Sequence, residues 1–226
     1  MFDKVNNMNL LREATWFAER SQCFQEDLLS CGMVRAFETG ETLYHHGDPV
    51  NGLYAVLDGG VLLAVPADDG QDLVFHRQGV GFWFGDLAMF ANSFRLMSVV
   101  TTCETTVLFF PSARINSLVQ KHPDYIRDFY ALTHYNMRTA LRVIANLLVT
   151  GAEKRVALRL LHLDEGTSKS DGWIIVSQEE LAEMVAVSRP TLHRSLHRLE
   201  DLDLIEIGYG RILIKDRAAL FANCQT

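Results

Sequence analysis

The sequence lacks the long apolar run that a membrane-spanning helix requires. No stretch approaches the about 20 consecutive apolar residues that are needed to cross a bilayer. The N-terminal residues also lack an apolar core followed by small residues, so they do not resemble a secretory signal. We therefore expect a cytoplasmic protein with no membrane partner.

Cysteine is scarce, and none of the four cysteines lies in a CxxC pair or in another ligand-like spacing. They are Cys23, Cys31, Cys103 and Cys224. In a reducing compartment, isolated cysteines are usually core or surface residues rather than disulfides, zinc ligands or iron–sulfur ligands. The sequence therefore predicts no disulfide, no structural metal and no iron–sulfur cluster.

Positive charge is not in excess, because the formal net charge is −7. A protein that binds nucleic acid needs positive charge where it meets phosphate, so this balance disfavours a basic surface spread over the chain. The stretch 189–199 is an exception, since it contains three arginines, two histidines and no acidic residue. The positive electrostatic field of such a stretch can be confined to one face of a helix.

Glycine is concentrated early in the chain, with ten of the 15 glycines between Gly32 and Gly85. Short runs rich in Val, Leu, Phe and Tyr accompany these glycines and continue after them, at residues 53–57, 61–65, 72–78, 98–102 and 105–111. Short apolar runs with turn residues between them are typical of an antiparallel sandwich, barrel or jelly roll. We predict an α+β protein in which residues 1–122 form an antiparallel β-roll (jelly roll), beginning with a helical segment.

Glycine and proline are absent from residues 124–150, directly after Pro123. Proline suits the first turn of a helix, so we predict one long helix over 123–150. Its apolar positions alternate spacings of 4 and 3 residues, which is the heptad seam of a coiled coil. The seam residues are Ile126, Tyr130, Thr133, Met137, Ala140, Ile144 and Leu147. The helix either pairs with a second copy of the chain, which its length favours, or lies across its own domain.

The remaining segment, up to residue 226, has the order of a winged helix-turn-helix domain. Ser177 and Glu180 form a Ser-x-x-Glu capping box at the start of a short helix. Ser188 then caps a second helix, with Pro190 in its first turn. Two apolar segments on either side of a Gly-Tyr-Gly turn follow, and they predict a hairpin that forms the wing.

The second of these helices is amphipathic. Its leucines at 192, 196 and 199 are spaced i, i+4 and i+7 and are predicted to face inward. The outward face then carries Arg189, His193, Arg194, His197 and Arg198. Docking in the major groove of DNA requires such a helix, with its apolar side anchored and its arginines free to reach base edges and phosphates. A charged face that is merely solvated is the alternative interpretation.

Residues 177–200, followed by Leu204-Ile205, resemble the helix-turn-helix of the CRP/FNR superfamily of bacterial transcription regulators. The turn at 51–60 resembles the hairpin that heads the family's β-roll, and the helix at 123–150 occupies the place of its dimerisation helix. The resemblance covers almost the whole chain. It implies a homodimeric transcription regulator that binds double-stranded DNA at a palindromic operator, senses a small effector in its β-roll and works with RNA polymerase.

The same resemblance assigns the DNA contacts, with Arg189 and Arg194 reading bases and phosphates and Ser188 and Thr191 contacting the backbone. The full predicted set is Ser177, Ser188, Arg189, Pro190, Thr191, His193, Arg194 and Arg198. The family often has a glutamate where this chain has Pro190, and that glutamate accepts a hydrogen bond from cytosine. We therefore expect an operator that differs from the commonest family half-site.

Residues 85–100 resemble the family's phosphate-binding cassette, in which Gly-Glu-Leu precedes Arg-Ser-Ala by ten residues. There, helix N–H groups and the arginine bind a cyclic phosphate, and the carboxylate binds the ribose. The resemblance implies a cyclic nucleotide, cAMP or cGMP, as effector, with a site formed by Gly85, Asp86, Leu87 and Arg95.

This chain departs from the family's nucleotide site in three places, two in the cassette and one on the long helix. The carboxylate is shortened to Asp86, Leu96 replaces the serine, and the long helix offers Thr139 and Ala140-Leu141 where the family has a Thr-Ser pair for the purine. A shortened carboxylate and a lost hydroxyl would each weaken nucleotide binding by about 1 kcal/mol or more.

Two other interpretations stay open for the β-roll. In the first, Gly85 is a turn glycine, Asp86 caps a short helix that begins at Leu87, and Arg95 pairs with an acid. The β-roll is then a scaffold without a ligand. In the second, the β-roll senses its effector through a haem, although no axial ligand stands out in the sequence.

A cupin-like metalloenzyme is the alternative from another functional class. His45 and His46 are adjacent, however, and adjacent strand residues point to opposite faces, so they cannot share one metal. His193 and His197 are i, i+4 on a predicted helix, but no third ligand is evident and the neighbouring arginines would repel a cation. We therefore predict a regulator without a metal site rather than an enzyme.

Overall fold

The computed structural model describes residues 11, 15–67, 72–165 and 172–224. The chain divides into two compact units: residues up to 139 without 74–76, and residues 74–76 together with 140 onward. The predicted boundaries at 122 and 150 stay predictions, since the division falls within the long helix. Among the helices described, none is both long and apolar enough to cross a membrane.

The first unit consists of a β-roll and the helices around it. Its helices are α1 (Thr15–Ala18), α2 (Gln22–Ser30), α3 (Asp86–Ala91) and α4 (Ser112–Lys121), after which the 3-10 turn Pro123–Tyr125 leads into α5 (Ile126–Leu148). Its strands are β1 (Met33–Phe37), β2 (Thr42–Tyr44), β3 (Gly52–Asp58), β4 (Gly60–Pro66), β5 (Asp72–Gly79), β6 (Trp83–Phe84), β7 (Ser98–Thr101) and β8 (Thr105–Pro111).

The strands form two four-stranded sheets, in the orders β1-β8-β3-β6 and β2-β7-β4-β5. Strand β3 pairs antiparallel with β8, with Leu53 opposite Phe110, and β4 pairs antiparallel with β7. The predicted antiparallel β-roll is confirmed, and each of its five predicted runs is a strand. Strand β1 was missed because most of its residues are exposed and give no alternating pattern.

Aromatic side chains fill the core of the first unit. The Phe17 and Trp83 ring centroids lie 4.8 Å apart, and those of Phe24 and Phe129 lie 5.3 Å apart. Phe129 and Leu132 are the residues by which α5 joins this core, and both are fully buried. Burying each such side chain contributes about 1.5–3 kcal/mol, so the first half of α5 is firmly attached to the β-roll.

Helix α5 therefore has two apolar faces, and only one is covered within the chain. Seam residues Tyr130 and Ile144 are 72% and 53% exposed, and Ile126, Met137 and Leu147 are exposed as well. Thr133 and Ala140, the smaller seam residues, are half-buried. The interpretation in which this seam lies across its own domain is wrong, because Phe129 and Leu132 make those contacts instead.

The second unit is the winged helix-turn-helix that the sequence predicts. Its further elements are α6 (Ala152–Glu165), β9 (Trp173–Ile175), α7 (Gln178–Met184), α8 (Arg189–Asp201), β10 (Ile205–Gly208), β11 (Arg211–Ile214) and α9 (Arg217–Asn223). The wing is a three-stranded sheet in the order β10-β11-β9. Its third strand, β9, was missed because three residues are too short for a periodic pattern.

The predicted caps of the two central helices are confirmed. The Ser177 hydroxyl accepts from the Glu180 backbone N–H at 3.1 Å, and the Glu180 carboxylate accepts from the Ser177 N–H at 2.9 Å. The Ser188 hydroxyl accepts from the Thr191 N–H at 3.4 Å at the start of α8. These bonds satisfy backbone donors that a helix N-terminus otherwise leaves free, and so fix where α7 and α8 begin.

Candidate DNA-binding surface and effector site

Helix α8 is anchored by one face only. Leu192, Leu196 and Leu199 are fully buried, as predicted, and this orients the helix about its axis. The opposite face is exposed, and the side chains of Arg189 and Arg198 are 69% and 75% accessible to solvent. The amphipathic helix that the sequence predicts therefore presents its cationic face to solvent.

The arginines of α8 differ in their partners. Arg189 pairs with the Glu179 carboxylate of α7, and the Arg198 Nε atom lies 3.1 Å from the Glu153 carboxylate. Exposed ion pairs of this kind contribute only about 0–1 kcal/mol, so a phosphate or a base can replace either acid at little cost. Arg194 makes only long bonds of 3.4 Å, to the Pro190 carbonyl and the Thr191 hydroxyl.

The first two turns of α8 bring most of the predicted DNA-binding residues together. Pro190 and Arg194 are exposed and Thr191 is half-buried, while the Ser188 hydroxyl lies 2.9 Å from that of Thr191. Ser177 stands apart, because it begins α7 and its hydroxyl is occupied by the capping box. Three arginines, Arg189, Arg194 and Arg198, thus share the exposed face of α8 on a chain whose net charge is −7.

The predicted effector residues lie around the start of α3. Gly85 is the N-cap of this helix, with φ 96°, and Asp86 is its first residue, so the interpretation of Asp86 as the cap is wrong. A Cβ at Gly85 would lie 2.7 Å from Arg95 Nη1 and 3.0 Å from the Gly52 carbonyl oxygen. This position therefore needs glycine both for its backbone conformation and for space. Leu87, the next residue of α3, is 37% exposed.

Arg95 is only 2% exposed and its guanidinium group is held by oxygen atoms of the protein. Its Nη1 atom donates to the Gly85 carbonyl at 2.9 Å. Its Nη2 atom donates to the Asn51 side-chain oxygen at 2.6 Å and to the Gly52 carbonyl at 2.7 Å. The interpretation in which Arg95 pairs with an acid is wrong, since its acceptors are neutral.

The guanidinium group also lies over aromatic rings. Its central carbon is 4.1 Å from the centroid of Tyr44 and 5.8 Å from that of Tyr54, both within cation–π range. Burial raises the pKa of Tyr44, although the nearby positive charge of Arg95 opposes the rise. Arg95 thus ties the start of β3 to the start of α3 from inside the β-roll.

Asp86 is also buried, at 3% exposure, and contacts the long helix rather than Arg95. Its Oδ1 atom accepts from the Asn136 amide at 2.8 Å, while its buried Oδ2 atom has no hydrogen-bond partner among the described residues. Burial raises the pKa of Asp86, and hydrogen bonds from Thr133 and Asn136 oppose the rise. The buried carboxylate therefore favours its protonated form more than an exposed one does.

The sequence missed several residues of this site. Asn51, Gly52 and Tyr44 hold Arg95, and Asn136 holds Asp86. Asn51-Gly52 was identified as part of a turn but not as a partner of the cassette. On α5, the sequence comparison with the family points to Thr139 and its neighbours, whereas the residue that contacts Asp86 is Asn136, three positions earlier.

Replacement of Asp86 by asparagine tests the state of this carboxylate. Since the pKa of Asp86 is raised on folding, the folded state holds the proton more tightly, and Asp86 costs stability as the pH rises above about 4. Asp86→Asn keeps an acceptor for Asn136 and removes the titration. We expect its melting temperature to exceed that of the wild type by more at pH about 7 than at pH about 4.

The control for this experiment is Asp124→Asn, which replaces an exposed carboxylate. Thermal unfolding followed by circular dichroism at the two pH values provides the comparison. A difference between Asp86→Asn and the wild type that does not change with pH would show that the buried carboxylate does not resist ionisation.

Comparison with known proteins agrees with this architecture. The family model of the cyclic nucleotide-binding domain matches residues 34–122, and that of the Crp-like helix-turn-helix domain matches residues 154–222. The chain is 28% identical over 188 residues to the cAMP-activated global transcriptional regulator CRP of Haemophilus influenzae, covering 80% of this chain and 83% of that protein.

Solved structures show the same fold. FixK2 from Bradyrhizobium japonicum has a TM-score of 0.76 and 19% identity, over 84% of this chain and 96% of that one. The c-di-GMP responsive global regulator CLP of Xanthomonas campestris has a TM-score of 0.66 and 25% identity, over 87% of this chain and all of that one. Together the two domains, the relatives and the fold show that this chain is not an enzyme and belongs to the CRP/FNR family of transcription regulators.

Proposed function

We propose that this regulator acts as a homodimer that binds a palindromic operator through helix α8 of each copy. The observation that carries the proposal is the orientation of α8. Its three leucines are buried and its arginines face solvent, which is the arrangement that a helix needs to enter the major groove. Contact with RNA polymerase, which the family resemblance implies, stays a prediction.

The position of each arginine suggests its role on DNA. Arg189 and Arg194 project from the first two turns of α8, and in a helix-turn-helix these turns meet base edges. Arg198 lies a full turn further along and next to Glu153, so we assign it to phosphate. Pro190 offers only an apolar contact, which suits a thymine methyl group rather than a cytosine amino group.

The exposed seam of α5 supports the homodimer. A second copy of α5 would cover Ile126, Tyr130, Met137, Ile144 and Leu147 at once, whereas in a single chain all five face water. Isolated apolar residues on a surface need no explanation, but a stripe along a helix of about 34 Å marks an interface. A dimer formed through this seam would have the twofold symmetry that a palindromic site requires.

For the β-roll, the family offers a cyclic nucleotide as effector, and two relatives are named for responses to cAMP and c-di-GMP. The unpaired Asp86 Oδ2 atom suits a ribose hydroxyl. Three N–H groups of Arg95 already donate to protein oxygens, but its buried Nε atom has no hydrogen-bond partner in the described part of the chain. In a nucleotide site formed by Gly85, Asp86, Leu87 and Arg95, a phosphate would accept from this Nε atom or replace one of the three acceptors.

The three hydrogen bonds from Arg95 to protein oxygens support a second candidate, a regulator whose β-roll works without a cyclic nucleotide. Arg95 would then have a structural role, because its hydrogen bonds hold the start of β3 and the start of α3 together. Removal of its guanidinium group would leave the Gly52 and Gly85 carbonyls without their donor in a buried site, at a cost of about 1–3 kcal/mol for each.

One calorimetric experiment separates the two candidates. We expect no binding heat when cAMP or cGMP is added to the wild type, and we expect Arg95→Ala to lower the melting temperature markedly. Arg114→Ala, in which an exposed arginine loses one bond to the Cys31 carbonyl, is the control and should change little. Nucleotide heat that disappears in Arg95→Ala would instead support the cyclic-nucleotide effector.

The dimer is tested by a charge in the seam. Ile144→Glu would place two like charges in the interface, where desolvation and repulsion oppose association. We expect light scattering to give a dimer mass for the wild type and a monomer mass for the variant at micromolar concentration. Leu73→Glu, at an equally exposed apolar residue of β5, should stay dimeric. A monomeric wild type would exclude the proposed assembly.

The DNA contacts are tested with two arginine variants on an operator obtained by selection. Arg189→Ala should cost about 1–3 kcal/mol and relax the preference mainly at one base pair per half-site. Arg198→Ala should weaken binding to all sequences alike and reduce the salt dependence by about one phosphate contact per protomer. Fluorescence anisotropy at two salt concentrations measures both effects. Unchanged base preference in Arg189→Ala would show that α8 is not the reading helix.

A further inference from the structure

Two histidines on the outward face of α8 point their ring nitrogens at each other. His193 and His197 are both exposed, and their Nε2 atoms lie 3.1 Å apart. Two imidazole nitrogens on one metal ion, each about 2.0–2.1 Å from it, lie about 2.8–3.4 Å apart for tetrahedral or square geometry. The observed separation falls within this range.

A carboxylate lies beside one of these rings. The Nδ1 atom of His197 lies 3.2 Å from Glu200 Oε2. A carboxylate only accepts hydrogen bonds, so its position favours the tautomer of His197 that has the proton on Nδ1 and a lone pair on Nε2. The other oxygen of Glu200 accepts from the Ile207 backbone N–H at 3.0 Å, which holds the carboxylate against the wing. Metal-binding histidines are commonly supported in this way.

The neighbouring arginines repel a cation less than the sequence alone suggests. Arg189 is paired with Glu179 and Arg198 with Glu153, so acids that are distant in sequence offset these two charges. Glu200 adds a third negative charge beside His197. Arg194, which follows His193, contacts only neutral acceptors among the described residues, so three acids balance three arginines around the histidine pair.

We propose that His193 and His197 form a binding site for a divalent transition metal ion of the class that prefers imidazole, Cu²⁺, Ni²⁺ or Zn²⁺. No group of three or more His, Cys, Asp and Glu side chains suited to a metal occurs in the described part of the chain, so the protein provides two ligands here and water completes the shell. Affinity follows the order in which Cu²⁺ binds more tightly than Ni²⁺ or Zn²⁺.

The experiment titrates the full-length protein with Cu²⁺, Ni²⁺ and Zn²⁺ in a calorimeter, without DNA. We expect one ion per protomer, bound most tightly as Cu²⁺, and a loss of at least tenfold in affinity in His193→Gln and in His197→Gln. Glu200→Gln should weaken Cu²⁺ binding by about tenfold, because the ring loses its anionic support. Electron paramagnetic resonance of the Cu²⁺ complex should show two coordinated imidazole nitrogens.

The matched control is His45→Gln, since His45 and His46 are also two exposed histidines but are adjacent rather than one helical turn apart. It should bind Cu²⁺ as the wild type does. Equal Cu²⁺ affinity in the wild type and in the His193→Gln, His197→Gln double variant would overturn the proposal. The site is tested on free protein, so this result does not depend on whether α8 enters DNA.

Discussion

The structure depends on the division of α5 into two apolar faces. Phe129 and Leu132 bury one face in the aromatic core of the β-roll, while the seam that includes Tyr130 and Ile144 faces water. A helix cannot satisfy both faces within one small domain, since the core occupies only one side. The partner that we propose for the second face is a second copy of the same chain, which would provide a matching stripe together with the twofold symmetry of a palindromic site.

The same principle acts on a smaller scale in α8. Leu192, Leu196 and Leu199 hold one side of this helix, and their burial leaves the other side free for arginines and histidines. Electrostatic potential at this face depends on local charge, so a chain with a net charge of −7 can still present a cationic surface. Glu179, which pairs with Arg189, is exposed and Glu153, which pairs with Arg198, is half-buried, while both arginines are largely exposed. Ion pairs that are open to solvent are weak, so the proposed DNA contacts could replace them at little cost.

The sequence predicted the elements whose signals are local. The capping box at Ser177, the cap at Ser188 and the long helix after Pro123 each have a signature within a few residues. The partners of Arg95 could not be predicted in this way, because carbonyl groups have no signature in a sequence. The two carbonyls that it binds belong to Gly52 and Gly85, which are far apart in the chain. The contact between Asn136 and Asp86 could not be predicted for the same reason, because it arises from the packing of α5 on the β-roll.

The central claim is that two copies of this chain read DNA together through α8. Selection of binding sites by the wild-type protein from a pool of random duplexes tests it most directly. The account predicts recovery of an inverted repeat whose half-sites are about 34 Å, or one helical turn, apart from centre to centre. Recovery of no enriched sequence, or of an isolated half-site without its inverted partner, would contradict it.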